Sequence, residues 1–427
     1  MNHLDAIIQA QKRGEGRGIA SICSAHPIVL ESALEQAEAM GTPALIEATC
    51  NQVNQFGGYT GMRPADFVRY ISELAERVGL ERYELILGGD HLGPTPWQVE
   101  PAAQAMDKSK QMVRDYVQAG FRKIHLDASM RLGDDPPGPL PVDVAAARTA
   151  ELAQVAEAAL PSGELIQLRY VIGTEVPIAG GLQGEGEQPK VTAVSDLTET
   201  LEKSRAVFLE RGLEVAWERV IAVVVQPGVE YGNDFIWDYD PVAAAPLARF
   251  SEGQQQWAYE AHSTDYQRPA ALQALVRDHF AVLKVGPALT FALREALFGL
   301  MLIENELFPS QECSHLWEAL ETAMLADPQH WEKHYRGPAA KQAMARKYSF
   351  SDRSRYYWPV AAVRAAVQQL MQNLERQPLP LALVSQYLPG AYERIREGGV
   401  ENRPQAIVKD RIAAVLASYQ LAVGGDV

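Results

Sequence analysis

Short aliphatic runs alternate with longer amphipathic stretches along most of this sequence, and this alternation constrains the fold more than any other feature. The runs that predict strands lie at 18–23, 43–48, 84–89, 122–127, 167–174, 219–226, 256–261 and 281–285. The stretches that predict helices lie at 27–40, 64–78, 102–119, 142–160, 191–211, 241–252, 269–279 and 287–307. Eight strand–helix units predict an α/β fold of the TIM (β/α)8 barrel type. A doubly wound open sheet is the alternative, but no GxGxxG follows the first run.

The alternation stops near residue 308, and the remaining sequence reads as mostly helical. Helical patterns lie at 315–325, 360–374 and 404–421. We therefore predict a barrel at 1–308 that carries the functional site, and a helical C-terminal extension at 309–427 packed on it. The segment 347–359 is dense in Tyr, Ser and Arg. It is either a lid whose arginines bind a sugar phosphate or, as we favour, a loop that fastens the extension.

Charge and hydropathy exclude several classes of function. The chain has 39 basic and 54 acidic side chains and a net charge of −15, which argues against a nucleic-acid-binding surface. The longest apolar stretch, 281–303, is interrupted by Lys284, Pro287, Arg294 and Glu295, so it cannot span a membrane. Residues 1–18 lack the apolar core of a secretory signal. We expect a cytoplasmic protein without nucleic-acid or membrane partners, and leave open whether it forms a homo-oligomer.

Polar side chains gather where the predicted strands end, which is the end of a TIM barrel that carries the chemistry. In chain order they are Ser24, His26, Glu47, Asn51, Gln52, Asp90, His91, His125, Asp127, Glu175, Gln226, Glu230, Glu260, His262, Ser263, Asp265 and Lys284. A buried unpaired charge is costly, so this grouping favours a functional site over simple core construction.

Two histidines and a glutamate in this set indicate a metal site. His91, His262 and Glu175 suit Zn²⁺, with Mn²⁺ or Mg²⁺ as alternatives, and leave a position open for substrate. A ligating imidazole has used its lone pair, so proton transfer would fall to the adjacent Asp90. His125 is either a packed core imidazole or an inward ligand.

Glycines and hydrogen-bonding residues after the fifth, seventh and eighth strands indicate a phosphate site. They are Gly180, Gly181, Gly184, Gly186, Ser263, Thr264, Lys284 and Gly286. For Gly184 and Gly186, a role as flexible loop residues without a ligand is an equally good explanation. Lys284 could instead form a Schiff base with a carbonyl substrate, although the metal-type residues nearby argue against this.

Several longer phrases carry a resemblance to a known family. They include Cys-Ser-Ala-His-Pro at 23–27, Leu-Gly-Gly-Asp-His-Leu-Gly-Pro at 87–94, Ile-Gly-Thr-Glu-Val-Pro at 172–177, Glu-Ala-His-Ser-Thr-Asp-Tyr at 260–266 and Lys-Val-Gly-Pro-Ala-Leu-Thr at 284–290. Over essentially its whole length the chain resembles the GatZ/KbaZ family, the larger subunit of class II D-tagatose-1,6-bisphosphate aldolase.

The resemblance implies a TIM barrel, a role in galactitol or N-acetylgalactosamine catabolism, and a small class II aldolase subunit (GatY/KbaY-type) as partner. The larger subunit is generally described as non-catalytic, while some relatives resemble sugar-phosphate C4-epimerases. Asp90 and His91 resemble the acid/base Asp and metal His of catalytic class II aldolases, and His262 resembles a second metal His. Gln226 stands where those aldolases have a further metal His, so either metal affinity is lower or another group, such as Glu230 or His125, completes the ligand set.

Together with the resemblance, these observations predict metal-dependent retro-aldol chemistry on a ketose phosphate, one form of which is C4-epimerisation between tagatose and fructose 6-phosphate. The alternative is a non-catalytic assembly and stability partner of the small aldolase subunit. The predicted catalytic residues are Asp90, Glu47 and Asp127, and the predicted metal ligands are His91, Glu175, His262 and Gln226. The predicted substrate- and phosphate-binding residues are Ser24, His26, Asn51, Gln52, Gly180, Gly181, Ser263, Thr264, Lys284 and Gly286.

Overall fold

The computed structural model describes residues 2–160, 168–173 and 188–424, and within them eight parallel strands close into a barrel. The strands are β1 (Ile19–Ile22), β2 (Ala44–Thr49), β3 (Leu85–Leu92), β4 (Lys123–Leu126), β5 (Arg169–Ile172), β6 (Val220–Val224), β7 (Ala258–Ala261) and β8 (Phe280–Val285). Each strand pairs with its neighbours in the chain, and β8 pairs with β1. The closed barrel confirms the predicted fold and excludes the open sheet.

Helices surround the barrel and continue beyond it. They are α1 (His3–Lys12), α2 (Pro27–Met40), α3 (Pro64–Val78), α4 (Ala102–Ala119), α5 (Val142–Ala158), α6 (Val194–Glu210), α7 (Glu214–Trp217), α8 (Pro241–Glu252), α9 (Pro269–Arg277), α10 (Pro287–Leu307), α11 (Leu316–Ala326), α12 (Ala339–Tyr348), α13 (Ala361–Leu374), α14 (Leu381–Tyr387), α15 (Pro389–Arg396) and α16 (Pro404–Ala422). A short antiparallel hairpin, Glu230–Tyr231 with Ile236–Trp237, follows β6. None of the described helices is long and apolar enough to cross a membrane.

The helix boundaries follow local rules where the prediction was most accurate. Helices α2 and α3 begin with Pro, whose missing N–H costs nothing in a first turn. They end at Gly41 and Gly79, both in the left-handed region that glycine adopts readily. The sequence did not predict α1, α7, α12, α14 or α15, each of which has 10 residues or fewer.

The C-terminal extension packs closely against the barrel. Helix α16 contacts α2, α9 and α10, three helices of the outer layer of the barrel. Buried residues of the extension, such as Leu320, Leu370 and Ile412, belong to the same apolar cluster as barrel residues. The division at residue 308 stays a prediction, because a shared core does not itself mark a boundary.

Candidate active site

Oppositely charged side chains meet inside the barrel and are almost completely buried. Lys123 Nζ lies 2.6 Å from Glu47 Oε1 and 2.7 Å from Glu260 Oε2. Lys284 Nζ contacts Glu47 and lies 2.8 Å from Asp90 Oδ1 and 3.5 Å from Glu260 Oε1. Each buried charge therefore has an opposite partner, and this pairing offsets part of the cost of desolvation.

The two-residue period of a strand brings further polar groups to the same interior. In β4, Lys123 and His125 are two positions apart, and Asp127 follows at the same spacing. Glu260 lies in β7, and His262 follows two positions later. Alternate residues of a strand point to the same face, so each strand contributes a charged group and then an imidazole nearer the opening.

Gly88 provides the room that the Glu47 side chain needs. In the sheet, Gly88 lies between Glu47 of β2 and Lys123 of β4. A Cβ atom at position 88 would lie 2.7 Å from Glu47 Cγ, which is too close for any real side chain. The glycine therefore permits the buried contact between Glu47 and Lys123.

Asp90 and His91 are adjacent in β3, yet both line the same cavity at the barrel mouth. Neighbouring side chains of a regular strand point to opposite faces. The pairing of β3 with β4 shifts register between Gly89 and Leu92, and His91 has a φ of 49°. Such an irregularity redirects side chains and is common near active sites. It explains how a consecutive acid and imidazole reach one site.

Three imidazoles, those of His91, His125 and His262, form a triangle above the charged network. Their ring centroids are 5.1 Å apart for His91 and His125, 4.8 Å for His91 and His262, and 5.2 Å for His125 and His262. Each ring also has a carboxylate partner: His91 Nδ1 lies 2.8 Å from Asp127 Oδ2, His125 Nδ1 2.9 Å from Asp90 Oδ1, and His262 Nε2 3.0 Å from Glu260 Oε1.

The neighbouring cations keep the carboxylates of this site ionised. Burial alone would raise the pKa of Asp90, but His91, Lys284 and His125 together hold it well below its ordinary value. Burial likewise opposes ionisation of Asp127, yet its contact with His91 lowers its pKa to about 2. Both side chains are therefore anionic at neutral pH. Asp90 can accept a proton, although its low pKa makes it a weak base before substrate binds.

Lys284 is a permanent cation in this environment. Burial lowers the pKa of its ammonium group, but the surrounding carboxylates, above all Asp90, raise it well above the ordinary value. A Schiff base requires the neutral amine as the nucleophile. The ion pairs therefore argue against the Schiff-base interpretation of Lys284.

The residues present fit a divalent metal ion. Ligand atoms of Asp90, His125, Glu260 and His262 all lie within 4.8 Å of one another. The Nε2 atom of His125 is buried without a hydrogen-bond partner in the described part of the chain. Burial lowers the pKa of His262 to about 4, so its ring is neutral, as a metal ligand must be. His91 is not in this group of four, but its ring adjoins that of His262.

The net charge of these side chains also favours binding of a cation. Among the described residues of this network, four carboxylates face two ammonium groups: Asp90, Glu47, Asp127 and Glu260 against Lys123 and Lys284. With neutral imidazoles, the two remaining negative charges equal the charge of one divalent ion. Burial lowers the pKa of His91, but Asp90 and Asp127 outweigh burial and raise it, so this ring becomes a ligand by exchanging its proton for the cation. Carboxylates that orient ligating imidazoles are typical of metal sites, and Asp127 has this relation to His91.

At the predicted phosphate loop, a carboxylate of the chain already occupies the backbone donors. Gly286 N and Ala288 N, at the start of α10, donate to Asp265 Oδ1 at 3.0 and 2.8 Å. The Thr264 hydroxyl donates to the Lys284 carbonyl oxygen at 2.6 Å, so it too is engaged. Ser263 and Gly286 line the cavity, but this helix start offers a phosphate neither of the two N–H groups bound by Asp265.

Ser24 and His26 lie in a second cavity that adjoins the first. Gln52 lines both cavities, whereas Asn51 lines only the first. The His26 ring packs edge-on against Trp358, with 6.2 Å between the ring centroids. Burial lowers the pKa of His26 to about 4, so its ring is neutral. The predicted substrate residues are thus divided between two neighbouring spaces.

Among the remaining predicted residues that the structure describes, Gln226 is not brought to the imidazoles. The Gln226 Oε1 atom accepts a hydrogen bond from Gly228 N at 2.8 Å, so this oxygen is engaged within its own loop. Glu175, Gly180 and Gly181 lie outside the described residues. Their proposed roles stay predictions.

The sequence analysis missed several residues that the structure brings to the site. It did not include Lys123, and it listed Glu260 at a strand end without giving it a role, although the spacing of these residues from His125 and His262 was a usable signal. It also favoured a purely fastening role for 347–359. Arg355 and Tyr356 of this segment line the same cavity as Asp90 and His262. No local pattern relates residues so far apart in the chain.

Comparisons with known proteins agree with this architecture. The family model described as D-tagatose-1,6-bisphosphate aldolase subunit GatZ/KbaZ-like matches residues 4–424. The crystal structure of a probable tagatose 6 phosphate kinase from Sinorhizobium meliloti 1021 is 46% identical, with a TM-score of 0.87 over 96% of this chain and 100% of that chain. A fructose-bisphosphate aldolase from Campylobacter jejuni is 13% identical, with a TM-score of 0.44 over 87% of this chain and 92% of that chain. The last similarity is too low to bear on activity.

Proposed function

Because this chain belongs to the GatZ/KbaZ-like family of D-tagatose-1,6-bisphosphate aldolase subunits, we propose that its barrel mouth performs metal-dependent retro-aldol and aldol chemistry on a ketose phosphate. The net reaction would be C4-epimerisation between tagatose and fructose 6-phosphate. The triangle of imidazoles with paired carboxylates is the observation that supports this proposal. Such a set combines metal ligands with an acid/base group in one cavity.

We assign the metal ligands to His262, His125 and His91, with Glu260 as an oxygen donor, so that Asp90 stays available for proton transfer. When bound, a divalent cation such as Zn²⁺ supplies Lewis acidity towards the carbonyl of a ketose. Asp127 orients the His91 ring through the 2.8 Å contact between His91 Nδ1 and Asp127 Oδ2.

Asp90 would move the proton of the C4 hydroxyl. Removing that proton lets the C3–C4 bond break, so that C4 becomes an aldehyde and the bonding electrons pass towards the C2 carbonyl. Re-addition of C3 to the other face of the aldehyde, with return of the proton from Asp90, inverts C4 and consumes no co-reactant. Lys284 supplies positive charge in the same cavity, and Glu47 holds Lys284 in place.

The family also implies a second role, as an assembly partner within an aldolase complex. One observation favours it: Glu47, Glu260 and Asp90 already have ammonium partners, so the network is balanced enough to persist as structure alone. In that case the small class II aldolase subunit would be the catalyst. A cytoplasmic location and self-association stay predictions.

Incubation of the purified chain alone with D-tagatose 6-phosphate tests the catalytic proposal. We expect D-fructose 6-phosphate to form, the reaction to stop with a chelator, and activity to return with Zn²⁺, Mn²⁺ or Mg²⁺. Metal content should fall in His262→Ala and His91→Ala but not in His3→Ala, because His3 lies in α1 away from the cavity. If no added ion gives conversion, and the chain activates a small aldolase subunit instead, the assembly role is correct.

A further inference from the structure

Arg355 lies at the boundary between the two adjoining cavities of the barrel mouth. The first cavity contains Asp90, His262 and Lys284, and the second contains Ser24 and His26. The residues that line both are Cys23, Gln52, Tyr59, Gly286 and Arg355. Arg355 is the cation of this shared boundary, so it can reach a ligand that extends from one cavity to the other.

The segment that carries Arg355 is fastened firmly to the barrel. Asp352 accepts hydrogen bonds from Arg294 Nε at 3.0 Å, from Thr290 Oγ1 at 2.6 Å and from Ser354 Oγ at 2.7 Å. The Arg294 and Asp352 side chains are 2% and 1% exposed. Asp352 is therefore committed to the barrel helix α10, and its contacts fix the backbone from which Arg355 projects.

The hydrogen-bond partners of the Arg355 guanidinium are uncharged groups. One of its terminal nitrogens donates to the carbonyl oxygens of Ser351 and Asp352, the second at 2.9 Å. The other donates to the Tyr356 hydroxyl at 3.3 Å. In the described ranges of the chain, no ion pair includes Arg355. A guanidinium in this state keeps donors for a planar or tetrahedral oxyanion, and phosphate is its most common match.

The Tyr356 phenol at this boundary lies beside two guanidinium groups, and the Asp352 and Asp265 carboxylates are close enough to interact electrostatically with Arg355. Arg353 also donates to the Tyr356 hydroxyl, at 3.3 Å, so two guanidinium groups surround one phenol. Burial would raise the pKa of Tyr356, but Arg355 and Arg353 together hold it below its ordinary value. By contrast, the helix start at Gly286 carries the Asp265 carboxylate. An anion is therefore favoured beside Arg355 and disfavoured at that helix start.

We propose that Arg355 binds the phosphate group of the substrate at the boundary of the two cavities. The C-terminal extension, rather than the loops after β7 and β8, would then provide phosphate recognition. The identity of the ligand as a ketose phosphate rests on the proposed function, whereas anion binding by Arg355 does not. A phosphate held here leaves the sugar carbons in the cavity that contains Asp90 and the imidazoles.

Calorimetric titration of the full chain tests this assignment with three probes: D-tagatose 6-phosphate, D-tagatose and inorganic phosphate. In Arg355→Gln we expect the affinity for both phosphate-bearing probes to fall roughly 10–100-fold, because one charge-assisted contact is lost. The affinity for D-tagatose should not change. Arg336→Gln is the matched control, since Arg336 is an exposed arginine of the same extension. Its affinities should equal those of the wild type.

A conservative variant keeps the test valid if Arg355→Gln is unstable. Arg355→Lys retains the charge but loses the forked geometry, so we expect a smaller loss, selective for phosphate-bearing probes. Equal phosphate affinity in the wild type and both Arg355 variants would overturn the assignment, as would a wild type that gains no affinity from the phosphate group. If phosphate binding depends on Arg355 but no conversion occurs, the retro-aldol proposal fails while the phosphate assignment stands.

Discussion

The two ends of the barrel are built from the same strands, but their side chains differ in kind. At the end covered by α1, Leu45, Ile86 and Val282 form an apolar cluster with Leu4 and Ile8 of that helix. Two residues further along the same strands, the corresponding positions are Glu47, Gly88 and Lys284. The apolar cluster, which we call the floor, and the network of buried charges are thus consecutive layers of side chains inside the barrel.

The difference shows how one scaffold separates stability from chemistry. Each apolar side chain in the floor stabilises the folded state independently, because its burial removes apolar surface from water. Charges in the mouth are tolerable only as a set, because each one offsets the desolvation of another. A substitution in the floor should therefore cost stability alone. A substitution in the mouth should have effects that depend on which partner remains.

The largest effect should come from breaking the charge network at its most buried cation. Lys123→Met leaves Glu47 and Glu260 without one of their ammonium partners, and we expect the free energy of unfolding to fall by about 3–5 kcal/mol. Urea unfolding would measure this loss. Lys203→Met, at a more exposed position of α6, is the control and should change little. Combining Lys123→Met with Glu260→Gln should recover part of the loss, and a Lys123→Met protein of full stability would contradict the network.

A change in the mouth that affects chemistry more than stability is Asp90→Asn. The amide keeps the size of the side chain but removes the base, so we expect turnover to fall at least about 100-fold while the fold and metal content persist. Initial rates with D-tagatose 6-phosphate and metal analysis would measure both. Asp90→Asn with wild-type turnover would exclude Asp90 as the base. If the wild type is inactive alone and this variant still fully activates a small aldolase subunit, the assembly role holds.

Glu230, in the hairpin after β6, should make stability depend on pH. Burial raises its pKa from 4.5 to about 7, while the Tyr231 N–H and Ser263 partly oppose this shift. The folded protein therefore binds this proton more tightly than the unfolded chain, so stability falls as the pH rises from about 4.5 to 7. Glu230→Gln should remove that slope and add roughly 1–3 kcal/mol at pH 8. Unfolding curves at several pH values test it, and an unchanged slope would refute the buried-acid explanation.

The smallest effect should come from the apolar floor. Ile86→Val removes one methylene group from the cluster beneath α1, and we expect a loss of about 1 kcal/mol in the free energy of unfolding. Affinity and turnover should not change, since Ile86 does not line either cavity of the mouth. Thermal and urea unfolding beside a full kinetic profile would check both statements. A clear kinetic defect would mean that the floor and the mouth are coupled.

Much of the fold could be predicted because its signals are local. The amphipathic stretches at 27–40 and 64–78 predicted α2 and α3 with the bounds that the structure has, and each begins with Pro and ends before Gly. Helix α1 was not predicted. A short helix before the first strand is not required by the strand–helix alternation, and it covers the barrel only through tertiary contacts.

Part of the candidate site was predictable in the same way. Asp90, His91 and His262 were recognised because they lie at strand ends, and the structure brings them to one cavity. The Asp265 contact to the start of α10 was not foreseen, although it decides whether a phosphate can bind there. A carboxylate and a helix start in separate loops carry no joint signal in the sequence.

The sequence by itself determined the order of strands and helices, since hydrophobic period, helix caps and strand ends depend on neighbouring residues. Only the tertiary structure decided which polar groups meet. Closure of the barrel brings Lys284 of β8 against Glu47 of β2, and an irregularity in β3 turns both Asp90 and His91 inward. The folding of the extension onto the barrel brings Arg355 to the mouth. These contacts join residues distant in the chain, and their energies depend on burial, which no local pattern specifies.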